Sequence, residues 1–556
     1  MRHARSPVDR RAAAIGLVTV VAANLVYLAG LRTVLDPMIS MDPFYIQMAR
    51  RPLSSLLSEV PAWGPLYAVW LKPFVAALGD PLAVYVANLY ALSFGVSVML
   101  YLYLLAVSRR TEVAVVAALF FVVSDFNVPL SSKVSGFALL VVLAGLTFSE
   151  AAPAGAARMT VAAVGILLAS YVRPEFYPAA LGIFVAATWL ACGEVRKSGP
   201  QALLWPTTGL VFILVSALWS GTPLGGAAHD GGRLFIALRE HFAWNWSRWH
   251  NEPPDFLDIW GRVFGGAPTV LQAVLRSPAA IFRHLGDNLL GTVRFMVATA
   301  FAHYPLLAPA TSPALVTAEN LSLSTAVIGS LVVAAKRPST RRQLLERYGH
   351  ALLVYAALAM CSVVAAVAIF PLPYYLLMPA VLLMLAGTLA ATLIIPAPPA
   401  WSLRTQLLAA LLCLAAMPKP YVLPSAYVVE GSPFKASITA TRPITDTIEL
   451  VRSLHLREPV QVLTFADGVG EMLGPGFREV KIWQKGAQPL AAFIKENNVG
   501  MIISLGPGQE SVMVNDREWN RMRNDLPAAG FTRFIVPNHE AVGVYVRTDL
   551  VQKGGE

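Results

Sequence analysis

Runs of about 20 apolar residues recur along the first three quarters of this chain, and that one feature decides what it can fold into. A helix needs ~20 such residues to cross a bilayer. A soluble core has no room for so many, and a chain in lipid must satisfy its backbone hydrogen bonds internally. The reading is therefore a polytopic α-helical membrane protein. The composition agrees: 56% of the 556 residues are hydrophobic, 14% are charged, and the mean hydropathy is +0.58. After about residue 425 short apolar runs alternate with charged ones. The chain thus divides into a membrane domain, 1–424, and a C-terminal α/β domain, 425–556.

Loop charge orients the spans. With the N-terminus inside, the first span is 12–35, and Arg2, Arg5, Arg10 and Arg11 before it mark an uncleaved signal anchor. An outer loop, 36–80, follows; its apolar stretch 62–78 holds Pro65, Lys72 and Pro73 and reads as a helix on or dipping into the outer surface. Six spans come next, at 81–107, 112–129, 133–149, 159–173, 175–192 and 202–219. A long outer segment, 220–317, contains a further apolar piece, 288–308, that is a surface helix or a span. Spans at 318–335, 351–370, 374–395 and 405–423 bring the total to about eleven and leave the C-terminal domain outside. This arrangement puts Arg109-Arg110, Arg158, Arg196-Lys197 and the loop KRPSTRRQLLERYGH (336–350) inside, with Arg173 and Lys133 as exceptions. If 62–78 and 288–308 both crossed, Arg109-Arg110 would lie outside, which counts against that alternative.

The same distribution explains the net charge of +10 without nucleic acid, because the basic residues sit in short loops between apolar runs. Cys192, Cys361 and Cys413 lie in or at the ends of apolar runs, have no metal-ligand spacing and imply no disulfide framework. In the C-terminal domain VQVLTF (460–465) and GMIISL (500–505) read as buried strands, and AQPLAAFIKEN and DREWNRMRNDL as amphipathic helices. FTRFIV and EAVGVYV suit an antiparallel pair. GPGQ at 506–509 lacks the spacing of a phosphate loop and reads as a turn.

Charged residues at a membrane edge, outside the basic loops, call for a reason. Two places stand out: Asp36 and Asp42 in the first outer loop, and YVRPEF (171–176), where Arg173 breaks the charge pattern and Glu175 follows. Simple structural roles are available. Asp36-Pro37 and Asp42-Pro43 both fit a helix start, with Asp as cap and Pro as first helical residue. Arg173 and Glu175 could be a salt bridge between helix ends. In the long outer segment, LREHFAWNWSRWHNEPPDF (238–256) carries Trp246 and Arg248 among its tryptophans. Such rings stack on sugar faces or anchor at the interface. His229, Asp230, His241, His250 and Glu252 could hold a divalent metal, although their spacing matches no defined motif.

Several short stretches resemble a known family. DPFYIQMAR, with Asp42 and Tyr45, resembles a D-x-x-Y-x-x-x-A-R loop. YVRPEF resembles an R-P-E/D turn, and PLPYYLLMPA (371–380) resembles an R-Y-L-L-P element in which Tyr374 stands where Arg is expected and Tyr375, Leu376 and Leu377 match. In layout most of the chain is similar to the GT-C superfamily of integral-membrane glycosyltransferases. The resemblance is to bacterial members related to protein mannosyltransferases and aminoarabinose transferases. It implies transfer of a sugar, with inversion, from a polyprenyl-phosphate donor to a lipid, glycan or protein acceptor at the extracytoplasmic face of the bacterial inner membrane. It implies Asp42 as general base. Arg173 would stabilise the departing phosphate, Glu175 would orient it, and Asp36 is a weaker second carboxylate. Relatives differ in whether they use a metal. Two other classes stay in view: a transporter or flippase of lipid-linked sugars, and a polymerase or ligase using pyrophosphate-linked oligosaccharides. A transporter would favour symmetric halves and mid-membrane charges; the sequence has no internal repeat, and its candidate charges fall at one face.

Overall fold

A computed structural model describes residues 9–29, 42–58, 65–124, 127, 134–153, 155–223, 232–252, 256–299, 313–396, 403–415, 442–457, 459–464, 468–481, 488–504 and 530–551. Asp36, Lys133, His229 and Asp230, the stretch 506–509 and the helix expected at DREWNRMRNDL lie outside the described residues.

Helices dominate. In chain order they are α1 (Arg10–Leu28), α2 (Asp42–Arg50), α3 (Leu53–Ser58), α4 (Pro65–Leu78), α5 (Pro81–Ser108), α6 (Thr111–Val123), α7 (Val134–Ala151) and α8 (Ala156–Ser170). A 3₁₀ turn, Pro174–Phe176, leads into α9 (Tyr177–Ser198) and α10 (Leu204–Ser220). Then come α11 (Gly232–His250), α12 (Phe256–Phe264), α13 (Val270–Arg276) and α14 (Pro278–Thr299). The last of the apolar series are α15 (Pro313–Lys336), α16 (Pro338–Ala368), α17 (Pro373–Ile394) and α18 (Leu403–Ala415). Among the described residues seven segments are long and apolar enough to cross a membrane: those of α1, α5, α7, α9, α10, α16 and α17. This is the architecture of a polytopic helical membrane protein. The other four expected spans fall on α6, α8, α15 and α18; α6 and α8 have only 13 and 15 residues. The stretch 62–78 forms the 14-residue α4, with Pro73 inside it.

The basic segments gather at one end of this bundle. Tyr101, late in α5, donates to the carbonyl of Ala13 near the start of α1 at 2.6 Å. Arg347 donates to the Ser108 carbonyl at the end of α5 at 3.2 Å, and Arg110 caps the end of α17 through the carbonyls of Thr392 and Ile395. The start of α8 meets the end of α9, where Ala156 N–H approaches Glu194. Between them sits a buried ionic group: Glu150, at the end of α7, takes His350 Nε2 at 2.6 Å and Arg158 Nη1 at 3.3 Å. A buried carboxylate left without partners would be costly. α7 and α8 lie close enough that a Cβ on Gly165 would come within 2.6 Å of the Gly145 Cα. The antiparallel α7–α8 pair therefore carries the start of α7 and the end of α8 to the opposite end of the bundle.

The C-terminal unit contains α19 (Pro443–Ser453), β1 (Val460–Thr464), α20 (Val469–Met472), β2 (Phe477–Lys481), α21 (Leu490–Glu496), β3 (Val499–Ser504), β4 (Phe531–Val536) and β5 (His539–Arg547). The sheet order is β2-β1-β3-β5-β4; β1 pairs in parallel with β2 and β3, and β5 runs antiparallel to β3 and β4. Its two faces separate by the two-residue period of a strand. Val462, Ile503 and Val544 join the large core shared with the bundle, while Leu463, Ile502 and Tyr545 form a second cluster with Phe493. The unit docks on the end away from the arginines. Arg452 pairs with Asp80 at 2.6 Å, and Asp80 caps the first turn of α5 through Leu82 and Ala83 N–H. α20 packs on α2 and α5.

Candidate functional site

Asp42 lies in the first turn of α2. It is 1% exposed. Its Oδ1 accepts a hydrogen bond from the Tyr67 hydroxyl of α4 at 3.0 Å. That hydroxyl accepts in turn from Asn88 Nδ2 at 2.7 Å, and Asn88 Oδ1 takes the indole N–H of Trp70 at 2.7 Å. Each member of this chain is paired, as a buried polar network requires. Aromatic packing holds it in place: Tyr45 meets Tyr67 edge-on at 5.0 Å, and Trp70 stacks on Phe137 of α7 at 5.1 Å. Three helices thus position Asp42, with α4 contributing through its i, i+3 residues Tyr67 and Trp70. Phe137 belongs to the first turn of α7, so the cluster occupies the end of the bundle opposite the arginines.

Arg173 lies at that same end, where α8 has stopped and the chain turns. It is 4% exposed. Its Nε donates to Glu175 Oε1 at 2.7 Å, and Nη2 lies 2.6 Å from the same oxygen but off the hydrogen-bond line. The guanidinium rests over the ring of Tyr375 at 4.4 Å and that of Tyr374 at 5.2 Å. Both tyrosines sit in the first turn of α17. A planar guanidinium between a carboxylate and two ring faces keeps its charge and a fixed orientation. Arg173, Glu175, Tyr374 and Tyr375, which are far apart in the chain, therefore form one cluster. The Tyr374 ring thus lies under the Arg173 guanidinium beside that of Tyr375.

The Trp-rich segment packs just before the start of α17. Phe370 precedes α17, and it meets the Arg248 guanidinium at 5.0 Å, the His241 ring at 5.7 Å and the Trp244 ring at 5.6 Å. Trp246 points elsewhere: it stacks on His250 at 3.9 Å and donates to Glu252, whose carboxylate also pairs with Arg262 at 2.8 Å. The hydrogen bond from Arg262 holds the Glu252 carboxyl below its ordinary range. Of the histidines that could hold a metal, His241 packs on Phe370 and His250 on Trp246. Among the described residues no group of three His, Cys, Asp or Glu side chains converges as a metal site.

A second network fixes the turn before α17. Asn288 of α14 donates to the carbonyls of Val367 and Ile369, each at 3.0 Å, and is itself bound by Asn245 of α11 at 2.9 Å. His284 receives Asn245 Nδ2 on Nδ1 at 2.9 Å and faces the Ala368 carbonyl through Nε2. Asn288 Nδ2 also lies 3.0 Å from His284 Nε2. Together these side chains satisfy the last carbonyls of α16, which have no partner within the helix. Burial pushes the His284 imidazole down to about 4.

No family model matches this chain, and no curated protein matches it.

Proposed function

We propose that the chain is an integral-membrane glycosyltransferase that takes its sugar from a polyprenyl-phosphate donor and passes it to an acceptor hydroxyl. In this reading eleven helices cross the bacterial inner membrane, the basic end faces the cytoplasm, and the C-terminal domain with both site clusters lies outside. Asp42 accepts the proton of the attacking hydroxyl. The bond from Tyr67 fixes the plane of its carboxylate. The attacking oxygen bonds to the anomeric carbon while the bond to the lipid phosphate breaks. Arg173 neutralises the charge that builds on the departing phosphate. The two tyrosines and Glu175 hold Arg173 ready before the donor arrives, so little reorganisation is needed during the reaction.

The observation that carries this reading is the placement of a buried carboxylate, Asp42, and a buried, ring-bracketed cation, Arg173, at one end of an apolar bundle. Buried charges at a membrane edge mark function by default. Their gathering at one end favours an enzyme over a transporter, whose sites lie near mid-membrane.

The test is to supply the purified protein in lipid nanodiscs with polyprenyl-phosphate sugars and follow release of polyprenyl phosphate. Asp42→Asn is expected to abolish release while leaving expression and thermal stability close to the parent. Full activity in that variant would overturn the base assignment. Passage of intact lipid-linked sugar across vesicles, with none consumed, would favour a transporter.

A further inference from the structure

The basic end of the bundle contains a cleft that the proposed reaction does not use. Its volume is about 500 Å³, and it lies between the last turn of α5, the first third of α16 and the last turn of α17. Arg109, Arg110 and Arg347 line it with Ser108, Thr392 and Ile395, and no acid is among the lining residues. The three arginines have different duties. Arg110 is committed: it binds Glu112 at 2.6 Å and caps the carbonyls of Thr392, Ile395 and Pro396. That cancels the negative end of the α17 dipole, which would otherwise repel an anion. Arg347 gives one N–H to the Ser108 carbonyl and rests against the Tyr348 ring. Arg109 is the exposed C-cap of α5, at φ 62°, so the left-handed turn of the backbone sets its side chain at the rim. Glu150, in the buried ionic group nearby, is already engaged by Arg158 and His350 and does not compete for these cations.

The cleft also has an apolar wall. Ile395 is 57% exposed and lines it, immediately past the end of the long apolar helix α17. A cationic cleft with one greasy wall, at the depth where the apolar helices α5 and α17 end, suits a phosphate head group that carries acyl chains.

We propose that this cleft binds a phosphate-bearing group, with Arg109 and Arg347 as its ligands and the exposed Ile395 surface receiving an acyl chain. The inference does not depend on the glycosyltransferase reading. Two probes separate a lipid source from a free anion: dihexanoyl phosphatidate and inorganic phosphate, each titrated against the detergent-purified full chain with thermal unfolding as readout. Saturable stabilisation by phosphatidate and none by inorganic phosphate is expected. Stabilisation by both would retain the phosphate site and assign it to a free anion. Stabilisation by neither would overturn the proposal. Arg109→Gln is expected to weaken phosphatidate binding about tenfold, the scale of one lost charge-assisted hydrogen bond. This variant leaves the packing intact, because Arg109 is exposed. Arg294→Gln removes an exposed arginine of α14 outside the cleft; equal weakening there would mean diffuse attraction and would also overturn the site.

Discussion

The hydroxyl of Tyr67 lies 3.0 Å from Oδ1 of Asp42 and donates to it, while accepting from Asn88 on its other side. This bond orients the Asp42 carboxylate. Tyr67→Phe removes the donor and leaves Asn88 without an acceptor. Thermal stability should fall by about 1–3 kcal/mol, the cost of buried polar groups losing partners. If Asp42 is the base, release of polyprenyl phosphate should fall by up to about 10²-fold, because the carboxylate loses the bond that orients it. Unchanged release would separate Tyr67 from the chemistry.

Arg173 meets Glu175 and two rings in a geometry that Lys cannot reproduce. Arg173→Lys should keep the fold, since a cation still faces Glu175. Donor turnover should fall about 10²-fold or more, the scale of losing one preorganised electrostatic contact. The measurement is release of polyprenyl phosphate at saturating donor, so that weaker binding does not mask the effect.

Gly145 and Gly165 let α7 and α8 approach to backbone contact. Gly165→Ala would drive its Cβ against the facing helix, where no flexible side chain can yield, and should destabilise by about 1–3 kcal/mol. Gly182→Ala on α9 meets open space and should be neutral or slightly stabilising. Thermal unfolding of the two variants side by side checks this.

The Arg452–Asp80 bridge is partly exposed, and its coupling in a double-mutant cycle should be modest, about 0.2–1 kcal/mol. Arg452→Ala alone should cost more than Asp80→Asn, because Arg452 also donates to the carbonyls of Met472 and Leu473.

His284 sets a pH dependence whose sign follows from its depressed pKa. The unfolded imidazole titrates near 6.5 and the folded one near 4. Between those values the unfolded chain binds more protons, so stability falls as pH drops through that window and levels off below it. For one proton the slope is at most about 1.4 kcal/mol per pH unit. His284→Gln should flatten this part of the stability–pH curve.

The apolar helices, the strands β1 and β3 and the β4–β5 pair were all legible from hydrophobic period and length. Arg173, Glu175, Tyr374 and Tyr375 were each singled out, by a break in loop charge and by short motifs, but nothing in the sequence brings them together. β2 was not, because FREVK carries three charged residues in five and reads as loop. The partners of Asp42 were missed for a related reason. Asn88 sits inside an apolar span, and Tyr67 inside a stretch read for its prolines and lysine. A lone Asn in a membrane helix is itself a signal, as is Glu150 at the end of α7. Arg158 read as a loop charge orienting the chain; in the fold it is 7% exposed and bound to Glu150. The network of Asn245, His284 and Asn288 has no sequence signature, since its acceptors are backbone carbonyls of another helix.

Asp80 and Arg452 are 372 residues apart, and α20 packs on the helix that begins with Asp42. Contacts so distant in sequence form last, after the loop between them has closed. A ribosome that has released α2 must still translate most of the chain before the surroundings of Asp42 exist. A protein cut short before residue 443 would insert its apolar helices and expose the α2 and α5 surfaces that α20 covers. Completion of the candidate site is thereby tied to completion of the polypeptide.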